Sequence, residues 1–293
     1  LLGRSAGDGL ITIRETDRML VLSCEQFTYV FNKLTGLFDK MTFANEPLLD
    51  QPMGFNVWRA PTDNDRKLKA DWYAAHYDHA ATNAYHTEYT VTASGVTLHT
   101  HVGIAAICVQ KFLDLDVTWT VANNGSVDLA LHAQRNTVFP ELPRFGLRLF
   151  LPQEMSQVNY YGMGPMECYR DKHHAASHSS YTATVWQLHE DYIRPQENGS
   201  HFDCDYVMLA GDAVRLTAVG TQPFSFNASH YTQEELTRKA HNYELEPCGS
   251  TVLCLDYAQN GIGSESCGPR LLEQYRLDDA AFDFGLRLIP EKK

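Results

Sequence analysis

Apolar and polar positions alternate with a period of two along most of the chain. In Lys111-Phe112-Leu113-Asp114-Leu115-Asp116-Val117-Thr118-Trp119-Thr120-Val121, one face reads Leu113, Leu115, Val117, Trp119 and Val121; the other reads Phe112, Asp114, Asp116, Thr118 and Thr120. Successive side chains of a strand point to opposite faces, so this run predicts a half-buried strand with one wet side. Residues 145–151, 213–219, 251–257 and 282–288 read the same way. Turn chemistry separates the runs at Asn123-Asn124-Gly125, Glu197-Asn198-Gly199, Gly211-Asp212 and Pro247-Cys248-Gly249. Many short strands with such turns predict a large antiparallel sandwich. Two helices interrupt the pattern. One covers 66–79, with Leu68, Trp72, Ala75 and His76 on one face; the other is short, opened by the capping box Thr232-Gln233-Glu234-Glu235 and carrying Leu236 and Ala240. No repeat or linker breaks the chain, so residues 1–293 are expected to form one large all-β domain.

Composition removes several functions. The 24 Lys+Arg against 36 Asp+Glu leave a formal net charge of −12. Nucleic acid and anionic membrane surfaces need clustered Lys and Arg, so neither is an expected partner. No apolar run approaches the roughly 18 residues that span a bilayer. The seven cysteines (Cys24, Cys108, Cys168, Cys204, Cys248, Cys254, Cys267) are scattered, with no C-x-x-C pair. That usage suits reduced thiols in a cytoplasmic protein better than a disulfide framework or a zinc site. The start, Leu1-Leu2-Gly3-Arg4-Ser5, has neither Met nor an apolar signal core and reads as cut from a longer chain.

Local chemistry is sparse. Asp63 and Asp65, in Arg59-Ala60-Pro61-Thr62-Asp63-Asn64-Asp65, are the best candidates for a pair of carboxylates facing one sugar, although Asx turn chemistry also explains the segment. Asp114 and Asp116 belong to a wet strand face. Asp63-Asn64-Asp65 fails as a calcium loop, because Lys67 stands where an oxygen ligand is needed. His173, His174 and His178 read as a solvated, mobile loop without the further ligands of a zinc site. Gly261-Ile262-Gly263-Ser264-Glu265-Ser266-Cys267 has glycine spacing but neither a P-loop Lys nor a following helix. Asn124, Asn198 and Asn227 head glycosylation sequons, without meaning in a bacterial cytosol.

The segment Phe55-Asn56-Val57-Trp58-Arg59-Ala60-Pro61-Thr62-Asp63-Asn64-Asp65 resembles the large bacterial β-galactosidases of glycoside hydrolase family 2, in their C-terminal domain or separately encoded small chain. Further matches follow in order: Tyr161-Gly162-Met163-Gly164-Pro165-Met166-Glu167-Cys168-Tyr169, Arg194-Pro195-Gln196-Glu197-Asn198-Gly199, Phe224-Ser225-Phe226-Asn227, Tyr231-Thr232-Gln233-Glu234-Glu235-Leu236 with His241, and Gly261-Ile262-Gly263. The resemblance implies a galactose-mutarotase-like β-supersandwich with no catalytic residue of its own. In that family the catalytic glutamates lie in a TIM barrel elsewhere, which would be this chain's partner in an oligomeric enzyme. Any Mg2+ or Na+ would be held by other domains. The implied pocket rim is Ser264, Glu265, Ser266 and Cys267, with Cys267 where known members place a sugar-stacking Trp. Arg59, Asp63, Asn64, Asp65, Glu167 and His241 would be structural. The chain also lacks the longer mobile loop that known members carry after Asp65, so closure of that kind is not expected.

Two other functions fit the bare sequence. A stand-alone aldose mutarotase would use a His acid and a Glu base, with His132 and His241 among the candidates. A carbohydrate-binding module would use Trp58, Trp72, Trp119 or Trp186 as platforms, Trp119 being weakened by its core-facing position.

Overall fold

The computed structural model describes residues 10–263 and 267–293. Its seventeen strands run β1 Thr12–Glu15, β2 Met19–Ser23, β3 Phe27–Asn32, β4 Leu37–Phe43, β5 Glu46–Pro47, β6 Gln51–Asn56, β7 Ala81–Thr92, β8 Gly95–Ala105, β9 Leu113–Ala122, β10 Val127–Arg135, β11 Arg144–Pro152, β12 Gln157–Gly164, β13 Ser177–Thr184, β14 Ser200–Ala210, β15 Val214–Ser229, β16 Ser250–Gln259 and β17 Ala281–Lys292. The α-helices among the described residues are α1, Leu68–Ala74, and α2, Gln233–Arg238. Strands β1 to β5 make a small antiparallel sheet in sequence order. The other twelve make a large one whose main path is β13-β12-β14-β15-β17-β10-β9-β8-β7. The large sheet forks at β15. Residues 214–220 pair with β17, whereas residues 225–229 pair with β16, which leads on to β11 and β6.

Alternation accounts for the core. Leu113, Leu115, Val117, Trp119 and Val121 are all at most 2% exposed, while Asp116 on the opposite face is wet. Trp119 joins the two sheets: its ring meets Phe38 of β4 edge-on at 5.3 Å, and its Nε1 donates to Gly36 O at 3.0 Å. Gly36 has φ +74°, and a Cβ there would stand 2.7 Å from Val102 Cγ2, so only glycine brings this carbonyl so close. Tyr29 repeats the connection by donating to Gly125 O at 2.7 Å. One buried apolar cluster thus runs across both sheets.

Three expectations need correction. The helix expected over 66–79 is broken into a 3-10 turn at Asp63–Arg66, α1, and a second turn at Tyr77–His79. His76 ends α1 in the left-handed region (φ 56°) and is exposed, and Tyr77 takes the buried place instead, donating to Pro140 O at 2.8 Å. Phe112, assigned to a wet face, lies just before β9, escapes its alternation and is fully buried against Tyr77. Part of the expected loop 173–180 is the start of edge strand β13, paired with β12. Its polar sequence hides a strand with both faces wet.

Replacing Trp119 by Ala removes the ring between the sheets and orphans Gly36 O, so unfolding in urea should show a loss of about 3–5 kcal/mol. A loss under about 1 kcal/mol would mean that the sheets are joined elsewhere.

Candidate functional site

The motif residues around Arg59 form the base of a rim. Asp65 reaches back as a capping residue and accepts from Thr62 N at 2.8 Å and Thr62 Oγ1 at 3.1 Å, which closes the 3-10 turn. The same carboxylate takes a forked pair from Arg59, Nη2 to Oδ1 at 2.7 Å and Nε to Oδ2 at 3.3 Å. Arg59 is wholly buried and lies 5.1 Å over the Trp72 ring. Its remaining hydrogen bonds go to the carbonyls of Asn260 and Gly261, the latter at 3.1 Å.

Two further side chains hold the segment that follows. Asn64 Nδ2 donates to Ile262 O at 2.7 Å. Asp171 accepts from Ile262 N at 3.1 Å and from Gly263 N at 2.7 Å. The glycine spacing therefore has a steric cause: a Cβ on Gly261 or Gly263 would stand 2.7 or 3.0 Å from Asp171 Oδ2. These residues edge a cleft of about 370 Å³, lined by Asp63, Asn64, Asp171, Tyr192, Gln196 and Gly263 among others. Asp63, expected to share the structural role, stands exposed at the cleft, and its carboxylate makes no hydrogen bond among the described residues; only its backbone N–H is held, by Gln196 Oε1 at 3.0 Å. The expected rim residues Ser264, Glu265 and Ser266 lie outside the described residues. Cys267, just beyond them, is exposed.

Beneath the cleft lies a second buried charge group. Arg144 binds Asp256 through Nε at 3.2 Å and Nη2 at 2.5 Å, and Glu197 through Nη1 at 3.1 Å. Burial opposes the charge of Arg144, but Asp256 and Glu197 outweigh it and hold its pKa well above the ordinary value. Burial pushes both carboxyls up, with Arg144 acting against it. Gln259 Nε2 spans the group, reaching Ser200 Oγ at 3.2 Å and Glu197 Oε1 at 3.4 Å. Glu167 forms a third group. It accepts from Lys172 Nζ at 2.6 Å, Tyr192 OH at 2.5 Å and Gly199 N at 2.9 Å. Burial raises its pKa, but those three donors more than offset it, so the carboxyl titrates below its usual range.

The other candidates lie apart. His241 is exposed, half-stacked with Tyr243 and near Glu244 at the surface. His132 is half-buried on β10 with Asp283 at 2.8 Å. The rings of His173 and His174 meet at a tilt, 4.9 Å apart, His178 Nε2 donates to Asp203 O of β14 at 2.9 Å, and no group of three metal-ligating side chains exists among the described residues. Trp58, Trp72 and Trp119 are buried, which leaves Trp186, 50% exposed beside His230 and Tyr231, as the one accessible platform among the four. Asn198 and Asn227 are buried and unsuited to carry a glycan. No helix among the described residues is long and apolar enough to cross a membrane.

Residues 23–288 match the family model described as beta galactosidase small chain. The chain belongs to that family. It is 43% identical over 267 residues to the beta-galactosidase of Actinobacillus pleuropneumoniae, an alignment that covers 91% of this chain and 26% of that protein. With the beta-galactosidase of Staphylococcus xylosus it shares 37% over 279 residues, 95% of this chain and 28% of that protein. The chain thus spans about a quarter of the length of these relatives. Among solved structures, a putative mutarotase (YeaD) from Salmonella typhimurium aligns with a TM-score of 0.51 at 10% identity, over 97% of this chain and 94% of that one. A putative aldose 1-epimerase from Escherichia coli K12 gives 0.51 at 9%, over 97% and 100%. At that identity the likeness is one of fold. The small chain is a galactose-mutarotase-like β-supersandwich.

Reading the small-chain motifs by themselves misses Asp171, Arg144 and Asp256. Asp171 follows the Glu167-Cys168-Tyr169 motif by two residues, and nothing local marks its bonds to Ile262 and Gly263. Asp256 carries a usable signal, the one charge in a strand whose neighbouring positions Val252 to Leu255 are apolar, whereas Arg144 shares β11 with Arg148 and nothing local sets it apart.

Removing the Asp65 carboxylate leaves a buried guanidinium unpaired, so Asp65→Ala should cost about 3–5 kcal/mol. Asp63→Ala should change stability by no more than about 0.5 kcal/mol. Comparable losses for both in chemical denaturation would contradict this division. A second expectation concerns His201, buried, with Nδ1 near Met163 O at 3.2 Å and Tyr160 OH at 3.1 Å, and with Nε2 unpartnered. Burial lowers its pKa from 6.5 to about 4. The unfolded chain therefore binds a proton that the folded chain refuses. This contribution is complete above pH 6.5 and is lost as pH falls toward 4, on the order of 3 kcal/mol in all. Melting of His201→Phe should lose that part of the acid dependence, and a profile parallel to that of the parent would refute it.

Proposed function

We propose that this chain is the non-catalytic small-chain part of a β-galactosidase that hydrolyses terminal β-D-galactosides, and that it supports the catalytic barrel and lines the rim of the sugar pocket. The observation that carries this reading is the anchoring of the segment 260–263 by Arg59 and Asn64 of one motif and by Asp171, two residues beyond another. Such a base fixes residues 260–263 without supplying a nucleophile. A retaining glycosidase needs two carboxyls about 5–5.5 Å apart and open to the sugar. Here Asp65, Glu197 and Asp256 are buried and engaged by arginines, which suits a structural role. The reading takes residues 1–293 as one domain of a cytoplasmic, oligomeric enzyme whose barrel, and whose Mg2+ or Na+ sites, belong to other parts. A thiol at Cys267 offers no aromatic face, so sugar stacking at the rim would differ from that in members with Trp there.

The test is hydrolysis of a chromogenic β-galactoside by the chain alone and by the chain joined to the remainder of the enzyme. The chain alone should be inert and the longer product active. In the active form, Asp171→Ala should raise KM by roughly tenfold, as expected for the loss of charge-assisted hydrogen bonds at about 1.5–3 kcal/mol. Turnover by the isolated chain would overturn the proposal, and Asp63 would then be the first carboxylate to replace.

A further inference from the structure

Strand β7 ends the path of the large sheet, and the edge it turns away from β8 is open. The two strands form a hairpin across the two-residue turn Ala93-Ser94, with Thr92 opposite Gly95. In such a hairpin the closing pair exchanges both backbone hydrogen bonds, and every second pair does the same. The bonded pairs are therefore Thr92–Gly95, Thr90–Thr97, Glu88–His99 and His86–His101. The N–H and C=O groups of Thr87, Tyr89 and Val91 point the other way, where no backbone partner meets them among the described residues.

The open stretch is closed off at both ends. The register slips between Ala84 and His86, and Ala84 N donates to Leu34 O at 2.8 Å. At the other end Thr92 enters the turn. Between them runs His86-Thr87-Glu88-Tyr89-Thr90-Val91-Thr92, rich in β-branched residues, with one carboxylate and neither Lys nor Pro. Exposed edges are commonly guarded by Lys, Pro or a bulge, and this stretch has none of them. Tyr89 and Val91 are 37% and 56% exposed, although they share a face with the buried Leu98 and Val96 of β8.

We propose that the edge is completed by β7 of a second copy of this chain, antiparallel about a two-fold axis at Tyr89. The symmetry of the open stretch selects a copy as the occupant. Thr87 and Val91 stand two positions to either side of Tyr89, and His86 and Thr92, where the bulge and the turn begin, stand three. A copy so placed sets Tyr89 against Tyr89 and Thr87 against Val91 in both directions, which makes about six backbone hydrogen bonds and leaves no open group over. An axis at Thr87 would drive the copy into the bulge and Leu34, and an axis at Val91 would leave Thr87 unpaired. With the axis at Tyr89, Glu88 meets Thr90 and His86 meets Thr92, so no like charges stand directly opposite. Glu88 also keeps His86 of its own strand at 3.7 Å. Beneath the axis, Tyr89 OH donates to Glu15 at 3.2 Å, and Lys33 neutralises that carboxylate at 2.9 Å. The contact is isologous, as closed two-fold assemblies require. A ribbon of this size falls short of the area that holds a dimer by itself, so it is one contact within the assembly of a longer polypeptide. It does not depend on the role proposed for the rim.

The test uses the full-length polypeptide that contains this chain. Tyr89→Cys and Val91→Cys are made separately, each with the exposed Cys108 and Cys267 replaced by Ser, and are mildly oxidised and mapped by mass spectrometry. Across the axis the two residues 89 stand about 5.5 Å apart at Cα, within the disulfide range of about 4.4–6.8 Å. The two residues 91 are separated by about 13 Å along the strand. A disulfide between copies should form at 89 and exceed that at 91 by about tenfold or more. In the assembled parent, amide exchange at Thr87, Tyr89 and Val91 should be slow. Tyr89→Pro removes an N–H that faces away from β8, so it spares the hairpin and should speed exchange at Thr87 and Val91 by about tenfold or more. Equal cross-linking at both positions, or none at 89, would overturn the proposal. Protected amides without the cross-link would overturn it too, by showing that a different strand fills the edge. Fast exchange at these amides in the assembled parent would do so without any variant.

Discussion

A guanidinium with no access to water has to find an acceptor for its donors within the protein, and Arg59 is such a group. Asp65 neutralises it, Asn260 and Gly261 supply carbonyls, and Trp72 covers its face. These partners come from one tight turn, one helix and a segment two hundred residues away. Satisfying the one charge therefore fixes all three relative to each other. The position of the rim is a consequence of that requirement, because residues 260–261 cannot move away without stranding Arg59. Arg144 imposes the same condition one layer lower, tying β11 to β16 and to the segment around Glu197.

The strands were largely legible because burial on one face writes itself into the sequence with period two, as residues 113–121 illustrate. What failed did so for identifiable reasons. The helical reading of 66–79 rested on Leu68, Trp72 and Ala75, which are buried as expected, but periodicity carries no information about the left-handed turn at His76. The start of strand β13 reads as loop because both its faces are wet, and an edge strand of that kind has no apolar rhythm. The register slips between β14 and β15 have no local signature either, since Asp203 is an ordinary residue until its φ of 54° is known.

The candidate site shows the complementary pattern. Its motifs could be recognised as segments, and the pairing of Arg59 with Asp65 is nearly local. The distribution of roles within a motif was not readable. Asp63 and Asp65 are two residues apart and chemically identical, yet one is buried in a fork of hydrogen bonds and the other faces solvent. Only the phase of the 3-10 turn separates them, since the third residue of the turn is the one that reaches back to Thr62. Asp171 was missed because its partners are backbone amides ninety residues on, and an amide has no letter in the sequence.

The rim cleft and the fork of the large sheet are related through the polar layer between them. Glu197 lines the rim cleft, Gln259 ends β16 beside the fork, and the two are hydrogen-bonded at 3.4 Å above the Arg144–Asp256 pair. A wall built of buried charges is stiff, because shifting any member exposes an unpaired partner to a medium that cannot solvate it. An apolar layer of the same volume could slide by exchanging one van der Waals contact for another at small cost. The charged layer therefore serves geometry more than net stability: it keeps the anchored segment 260–263 and the fork of the sheet in a constant relation. That is what a domain needs if it contributes the edge of a site whose chemistry is performed elsewhere.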